Sequence, residues 1–349
     1  MSLPMRQSLA LSLLASIACV AAAPLATAAD TAAQSPYKVI GRLALGGTGG
    51  WDYLSFDSQR RHLFVSRGDR VLVIDVDSNK QIGVIADTSG VHGIAIAQDL
   101  HRGFTSNGKA NSVTVFDLDT LKTVATITGT GQKPDSIVYD SASHHVLTFN
   151  GKSGDASVID PAAAKVVGTI ALPGRPEFSA ADGQGHVYVN IEDKSELSEI
   201  DTGSNKVLQT WSLAPCESPS GLAMDIVHKR LFSVCDNQKM VVTDATDGHH
   251  VATLAIGDGP DAVTFDPEQA LVYSSNGESG TLTVVHEDDP NHYSVVANVS
   301  TQISARTQAL DPQKHRVYLS SAKLGTDKDA HGRQQPVPDS FTILTVGKP

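Results

Sequence analysis

Seven side chains recur along this sequence at an interval too long for any single local motif. Asp52, His92, Asp135, Glu177, Ser220, Asp261 and Arg306 follow one another at spacings of 40 to 45 residues. Pro134, Pro176, Pro219 and Pro260 stand directly before four of them. If the fold gathers the seven, four carboxylates share one opening. Like charges that close repel, so some would hold their protons to unusually high pH unless a cation compensates. Oxygen ligands of this kind suit calcium or magnesium, and His92 extends the choice to zinc. The expected metal set is Asp52, His92, Asp135, Glu177 and Asp261. A cationic or small polar ligand would use the same groups together with Arg306 and with Asn107, Asn150 and Asn276, each of which precedes a glycine. The plainer reading of any one Asp is a turn cap that accepts backbone N–H bonds. Capping alone does not ask for His92, Glu177 and Arg306 at equivalent places.

The segments around these residues explain the spacing. WDYLSFDSQRRHLFVS from Trp51, PDSIVYDSASHHVLTF from Pro134, PDAVTFDPEQALVYSS from Pro260 and ARTQALDPQKHRVYLS from Ala305 lie one under another, as do three further segments. Repeats of about 40 residues are propeller or solenoid signals. Each unit reads as four short strands, called A to D here. Strand A is an alternating run such as Ala262–Phe265, and strand B a run such as His186–Val189. Strand C ends on an aliphatic-x-Asp pattern, as at Val73-Ile74-Asp75 and Val115-Phe116-Asp117, and strand D is a run such as Val124–Ile127. Asn-Gly pairs at 107–108, 150–151 and 276–277 read as hairpin turns between B and C. No helical period is sustained. The expectation is an all-β, seven-bladed β-propeller of four-stranded blades.

The seventh unit lacks a strand D after Phe341–Val346, while Tyr37–Leu45 precedes the first strand A with no partner of its own. Residues 37–45 are therefore expected to pair with 341–346 and close the ring.

The P-[DES]-x-aliphatic turn, the Asn-Gly after strand B and the [VI]-x-[VI]-x-Asp strand C resemble the YVTN-type β-propeller repeat family, which includes YncE-like periplasmic propellers. The likeness covers about residues 36–349, and the Gly-His…Trp-Asp signature of WD40 repeats is absent. It implies an exported seven-bladed propeller and no single activity.

Strand order gives the geometry of the candidates. The D-to-A and B-to-C turns lie on one face, and strand A is innermost, so the seven recurrent residues should ring the mouth of an axial funnel. Residues 322–339, between strands B and C of the last unit, carry His331 and Arg333 and are expected either to cover that mouth or to be a solvated insertion. His62, His101, His144, His145, His186, His228 and His315 fall at the A-to-B turns on the opposite face, where a structural or solvated role is expected. His286 breaks the strand-C Asp pattern.

The N-terminus adds an address. Residues 1–29 carry Arg6, an apolar run from Leu9 to Val20, and Ala-x-Ala-like sites at 26–29, the layout of a cleaved signal peptide. Ser16 stands where a lipid-anchor signal before Cys19 would want Leu, so no lipoprotein anchor is expected. The predicted organisation is a leader over 1–29 and one propeller domain over 30–349, in the periplasm. There Cys216 and Cys235 are disulfide candidates.

The chain of 349 residues carries 27 Lys and Arg against 38 Asp and Glu, a net charge of −11. That sign disfavours nucleic acid as a partner, and no later stretch has the length of a transmembrane helix. Nucleophile-elbow, P-loop and His-Glu-x-x-His patterns are absent. The function expected is that of a monomeric binding or scaffold protein whose funnel takes a cation, a metal, a small polar ligand or another envelope protein. A metal-dependent lactonase or lyase using the same funnel is the alternative. A subunit of a redox system, like the propeller subunits of quinoprotein dehydrogenases, is a third reading without an identifiable quinone-forming residue.

Overall fold

Strands B and C of every unit are mostly buried, although several carry polar residues, as at Arg102–Asn107 and Glu196–Asp201, which suits sheets covered on both faces. Val146–Asn150 in unit 3 is wholly buried, and the strand D that follows, Lys165–Ala171, alternates between exposed and covered residues. Such units cannot stand alone. In the computed structural model, which describes Met1 and residues 35–328, 332 and 334–349, they stack as seven antiparallel four-stranded sheets. The leader expected over residues 1–29 lies, Met1 apart, outside the described residues. No α-helix occurs among the described residues, and none there is long and apolar enough to cross a membrane.

The inner strands are Leu54–Asp57, Val91–Ala97, Pro134–Asp140, Pro176–Ala181, Pro219–Asp225, Pro260–Asp266 and Thr307–Asp311. The core is a set of apolar seams between neighbouring blades. Phe64, Val71 and Val73 of blade 1 meet Val91, Ile94 and Phe116 of blade 2, and Leu147, Phe149 and Val158 of blade 3 meet Val187, Val189 and Ile191 of blade 4. Burying each such side chain is worth about 1.5–3 kcal/mol before the entropy of ordering the chain.

The ring closes as the sequence predicts. Lys38–Ala44 pairs antiparallel with Thr342–Gly347, with Leu43 opposite Ile343 and Ala44 opposite Thr342. Blade 7 thus takes its three inner strands from the C-terminal part of the described chain and its outer strand from the start of the ring. The strand-C aspartates are turn formers, as expected: Asp75 accepts from the Ser78 N–H at 2.6 Å and Asp201 from the Ser204 N–H at 2.7 Å. These bonds hold both carboxyls below their ordinary range.

The Asn-Gly turns correct the expectation in one respect. They are not two-residue hairpin loops. Strand B of blade 2 ends at Asn107 and strand C begins at Ser112, which leaves four turn residues with Asn111 at φ 47°. Glycine is required at 108 for a different reason. A Cβ there would lie 2.7 Å from His92 Nε2, because the turn is tucked against the His92 ring.

Cys216 and Cys235 form a disulfide with Cα atoms 5.4 Å apart, tying the loop before blade 5 to the end of its strand B.

Candidate functional site

The starts of three strands A are held by side-chain hydroxyls of neighbouring strands. Thr307 Oγ1 donates to the Asp52 carbonyl at 2.8 Å, Ser275 Oγ to the Arg306 carbonyl at 2.5 Å, and Ser106 Oγ to the Asp135 carbonyl. Every one of these bonds crosses to the next blade, so these three recurrent residues are fixed around one axis. Asp52, His92, Asp261 and Arg306 line a recess of about 1830 Å³.

His92 sits between two acids. Nδ1 donates to Asp52 Oδ2 at 2.5 Å and lies 3.4 Å from Asp135 Oδ1. The three ligand atoms fall within 4.8 Å of one another. Burial opposes a charge on His92, but the Asp52 hydrogen bond and the two carboxylates outweigh it and raise the imidazole pKa. Burial also raises the Asp135 carboxyl, with the Asp52 charge adding to it, against the pull of His92 and Lys133. With Nδ1 committed to Asp52, Nε2 is the nitrogen left over; among the described residues it has no hydrogen-bond partner.

Arg306, expected in the ring, is joined by a second cation, Lys133. Lys133 Nζ is 3.1 Å from Asp135 Oδ2. Arg306 binds Asp261 through Nη1 and the Trp51 carbonyl through Nη2 at 2.9 Å, and Nη1 lies 4.0 Å from Asp52. Ser220 Oγ donates to the Asp261 carbonyl at 3.0 Å. The lining adds exposed Lys109 and Lys328 against Glu278, with Arg67 buried in the wall. The recess is therefore of mixed charge.

Among the described residues, Glu177 is the ring acid without a salt bridge. Its carboxyl is pushed well above the ordinary range, first by burial and then by Asp135 and Glu192. The Tyr53 hydroxyl donates to it at 3.4 Å. Burial, followed by the charges of Glu177, Asp135, Asp52 and Asp261, raises the Tyr53 phenol. All four ring acids thus act on one side chain. Tyr53 of blade 1 also meets Phe178 of blade 4 edge to face at 4.9 Å. An aromatic pair thus spans the axis.

Asn107, Asn150 and Asn276 do not join this group. Asn107 Nδ2 donates to Ser112 Oγ and Thr114 Oγ1, and its Oδ1 accepts from Thr105. Asn150 and Asn276 make the same kind of bonds within blades 3 and 6. All three are fully buried. Their amides cap neighbouring strands and offer nothing to the opening, because a buried amide must satisfy its own donors first.

The 322–339 segment forms a hairpin, Leu324–Lys328 against Gln334–Pro336, and its residues line one wall of the recess. His331 and Arg333 lie outside the described residues. The base of the hairpin is tied to the glycine-rich stretch 46–50 by Gly47 N–H to Asp339 Oδ1 at 2.9 Å and Asp339 N–H to Gly47 O at 3.1 Å.

Sequence reasoning passes over Tyr53, Lys133 and Arg67. Tyr53 and Arg67 carry a usable signal, since each departs from the repeat. Tyr53 holds a place filled by Gly93, Gly221 and Ala262 in other units, and Arg67 a place filled by Asn107, Asn150 and Asn276. Lys133 lies in a turn without a repeating pattern and carries none.

No family model matches the chain, and no curated protein sequence matches it. Solved structures do. A chain of the "Kuenenia stuttgartiensis Hydrazine Synthase" structure aligns with a TM-score of 0.69 at 16% identity, over 78% of this chain and 92% of that one. The RRP9 WD40 repeats align at 0.74 and 12%, over 90% and 99%. A chain of the Mitotic Checkpoint Complex aligns at 0.74 and 14%, over 98% of both. At such identities the likeness carries the fold alone, and that fold is the seven-bladed β-propeller.

Proposed function

We propose that this chain is an exported binding protein of the YVTN type, and that its axial recess takes a small polar ligand with both cationic and anionic groups. The observation that carries the reading is the mixture of charge around the recess. Asp52, Asp261 and His92 line it together with Arg306, Lys109, Lys133 and Lys328. A cationic nitrogen would seat on the acids and an acidic group on the lysines. The hairpin supplies one wall of the recess, and a concave pocket with a few convergent polar groups is the usual form of a ligand site. Export is supported by the leader pattern over 1–29 and by the Cys216–Cys235 bond, which an oxidising compartment preserves.

The test is a thermal-shift panel of zwitterionic, cationic and anionic solutes on wild type and on an Asp52→Asn, Asp135→Asn double variant. The expected result is a rise of several degrees with zwitterionic solutes, lost in the variant. A response to anions alone, equal in both proteins, would overturn it.

One observation favours a second reading. The His92, Asp52 and Asp135 ligand atoms are close enough to hold a divalent ion. Such an ion would supply the electrophile of a lactonase or lyase, with His92 Nε2 as acid or base. Lys133 beside Asp135 counts against it. A metal content of one per chain that vanishes in the same double variant would favour this reading over the first.

A further inference from the structure

On the face opposite the recess, four of the acids that end a strand A share one arrangement. Asp57, Asp140, Asp266 and Asp311 each end a strand A and are fully buried. Each takes a side-chain donor from the next blade. Gln98 Nε2 donates to Asp57 at 2.7 Å, Thr202 Oγ1 to Asp140 at 2.7 Å, His315 Nδ1 to Asp266 at 2.8 Å and Arg61 Nη2 to Asp311 at 2.6 Å. Asp225 of blade 5 ends its strand A in the same way and is equally hidden. Its neighbour from blade 6 is Glu287, which carries no donor when ionised.

Glu287 stands where Thr202 stands in blade 4. Its N–H donates to the Ala270 carbonyl at 2.9 Å, as the Thr202 N–H does to the Gly185 carbonyl at 2.9 Å. Glu287 is 4% exposed, and neither of its carboxylate oxygens accepts a hydrogen bond. His228 completes the group, with Nδ1 2.6 Å from Asp225 Oδ2 and 3.2 Å from Glu287 Oε1. One ligand atom from each residue falls within 4.8 Å of the other two. Arg230, nearby in sequence, does not fill the place, because it is engaged by Asp244 and by the carbonyls of His228 and Pro290.

Asp225 accepts from His228 Nδ1 at 2.6 Å and from the Val227 N–H at 2.9 Å, but Glu287 accepts from neither, and two buried carboxylates that share one half-exposed imidazole call for further positive charge. A divalent ion with two carboxylates and a neutral imidazole makes a site of zero net charge. One nitrogen and two oxygens are a common ligand set for zinc and similar borderline ions. Tetrahedral zinc at about 2.0–2.1 Å from each ligand separates the ligands by roughly 3.3 Å. The observed 2.6 and 3.2 Å need only a small opening. On binding, His228 gives its Nδ1 lone pair to the metal and carries its proton on Nε2. Its side chain is about half exposed, which leaves a route in and room for a water as fourth ligand.

We infer that Asp225, His228 and Glu287 form a zinc-type divalent-metal site that clamps blade 5 to blade 6, separate from the axial recess. The experiment uses the full mature chain, stripped with chelator and titrated with Zn²⁺ by calorimetry, with thermal melts alongside. Wild type should bind zinc at this site and melt several degrees higher with it. Glu287→Thr installs the residue blade 4 uses, so it should fold without metal and lose one equivalent of zinc together with the thermal gain. His228→Ala should lose the same equivalent if the threonine variant folds poorly. The Asp52→Asn, Asp135→Asn variant should keep it, which separates this site from any ion in the recess. Absence of zinc binding by wild type at micromolar free metal would overturn the inference and leave a proton between the two acids. Unchanged zinc content in both Glu287→Thr and His228→Ala would overturn it as well.

Discussion

Glu177 and Arg306 show how differently two members of one ring can be solved. Arg306 answers Asp261 and approaches Asp52, whereas Glu177, without a salt bridge among the described residues, accepts from the Tyr53 hydroxyl with acids around it. The folded state therefore keeps the Glu177 proton to a higher pH than the unfolded chain does. Protons bound in excess by the folded state make stability fall as pH rises. The loss begins as pH climbs past 4.5, the ordinary value, and continues to the raised folded value. Glu177→Gln cannot ionise and should match wild type near pH 4 and gain on it steadily above pH 5. Melting temperatures of the two proteins across pH 4–9 check this, and parallel curves would mean that Glu177 is not held protonated.

At the scale of elements, the last blade and the first loop are one assembly. Arg67 ends strand B of blade 1 and is 2% exposed. Among the described residues its guanidinium has no carboxylate partner. It donates to the carbonyls of Gly46, Thr48, Gly49 and Gly50 at 2.7–3.3 Å and lies 3.9 Å over the Phe341 ring. Burial, with Arg70 nearby, lowers it to about 10, so it stays charged at neutral pH. Arg67→Met would strand four carbonyl oxygens and should cost about 3 kcal/mol. Urea unfolding measures this, and a loss under about 0.5 kcal/mol would remove the clamp from the account. The closing strand makes a larger prediction. Deleting residues 30–45 leaves Thr342–Gly347 without its outer partner and should lower the melting temperature sharply. A truncated chain that melts with the intact one would contradict ring closure.

The whole molecule was legible in proportion to its periodicity. Blade number, strand order, the closing strand and the positions of Asp52, His92, Asp135, Glu177, Asp261 and Arg306 all follow from spacing, because sevenfold geometry converts equal intervals into equal radii. What spacing cannot convey is where a side chain turns. Asn107 recurs as faithfully as the ring residues, yet its amide faces into the blade because buried Ser112 and Thr114 stand within reach there. Nor can it convey cations that arrive from turns, as Lys133 does, or exceptions such as Glu287, whose meaning appears only against Thr202 in the folded blade next to it.

The central claim is that acidic turns from separate blades act on one another across a common axis, with His92 held between Asp52 and Asp135. An NMR titration of the His92 ring in metal-free protein measures this directly. The account predicts a pKa above 6.5 in wild type, lowered in both Asp52→Asn of blade 1 and Asp135→Asn of blade 3. A value at or below 6.5 that neither substitution moves would contradict it.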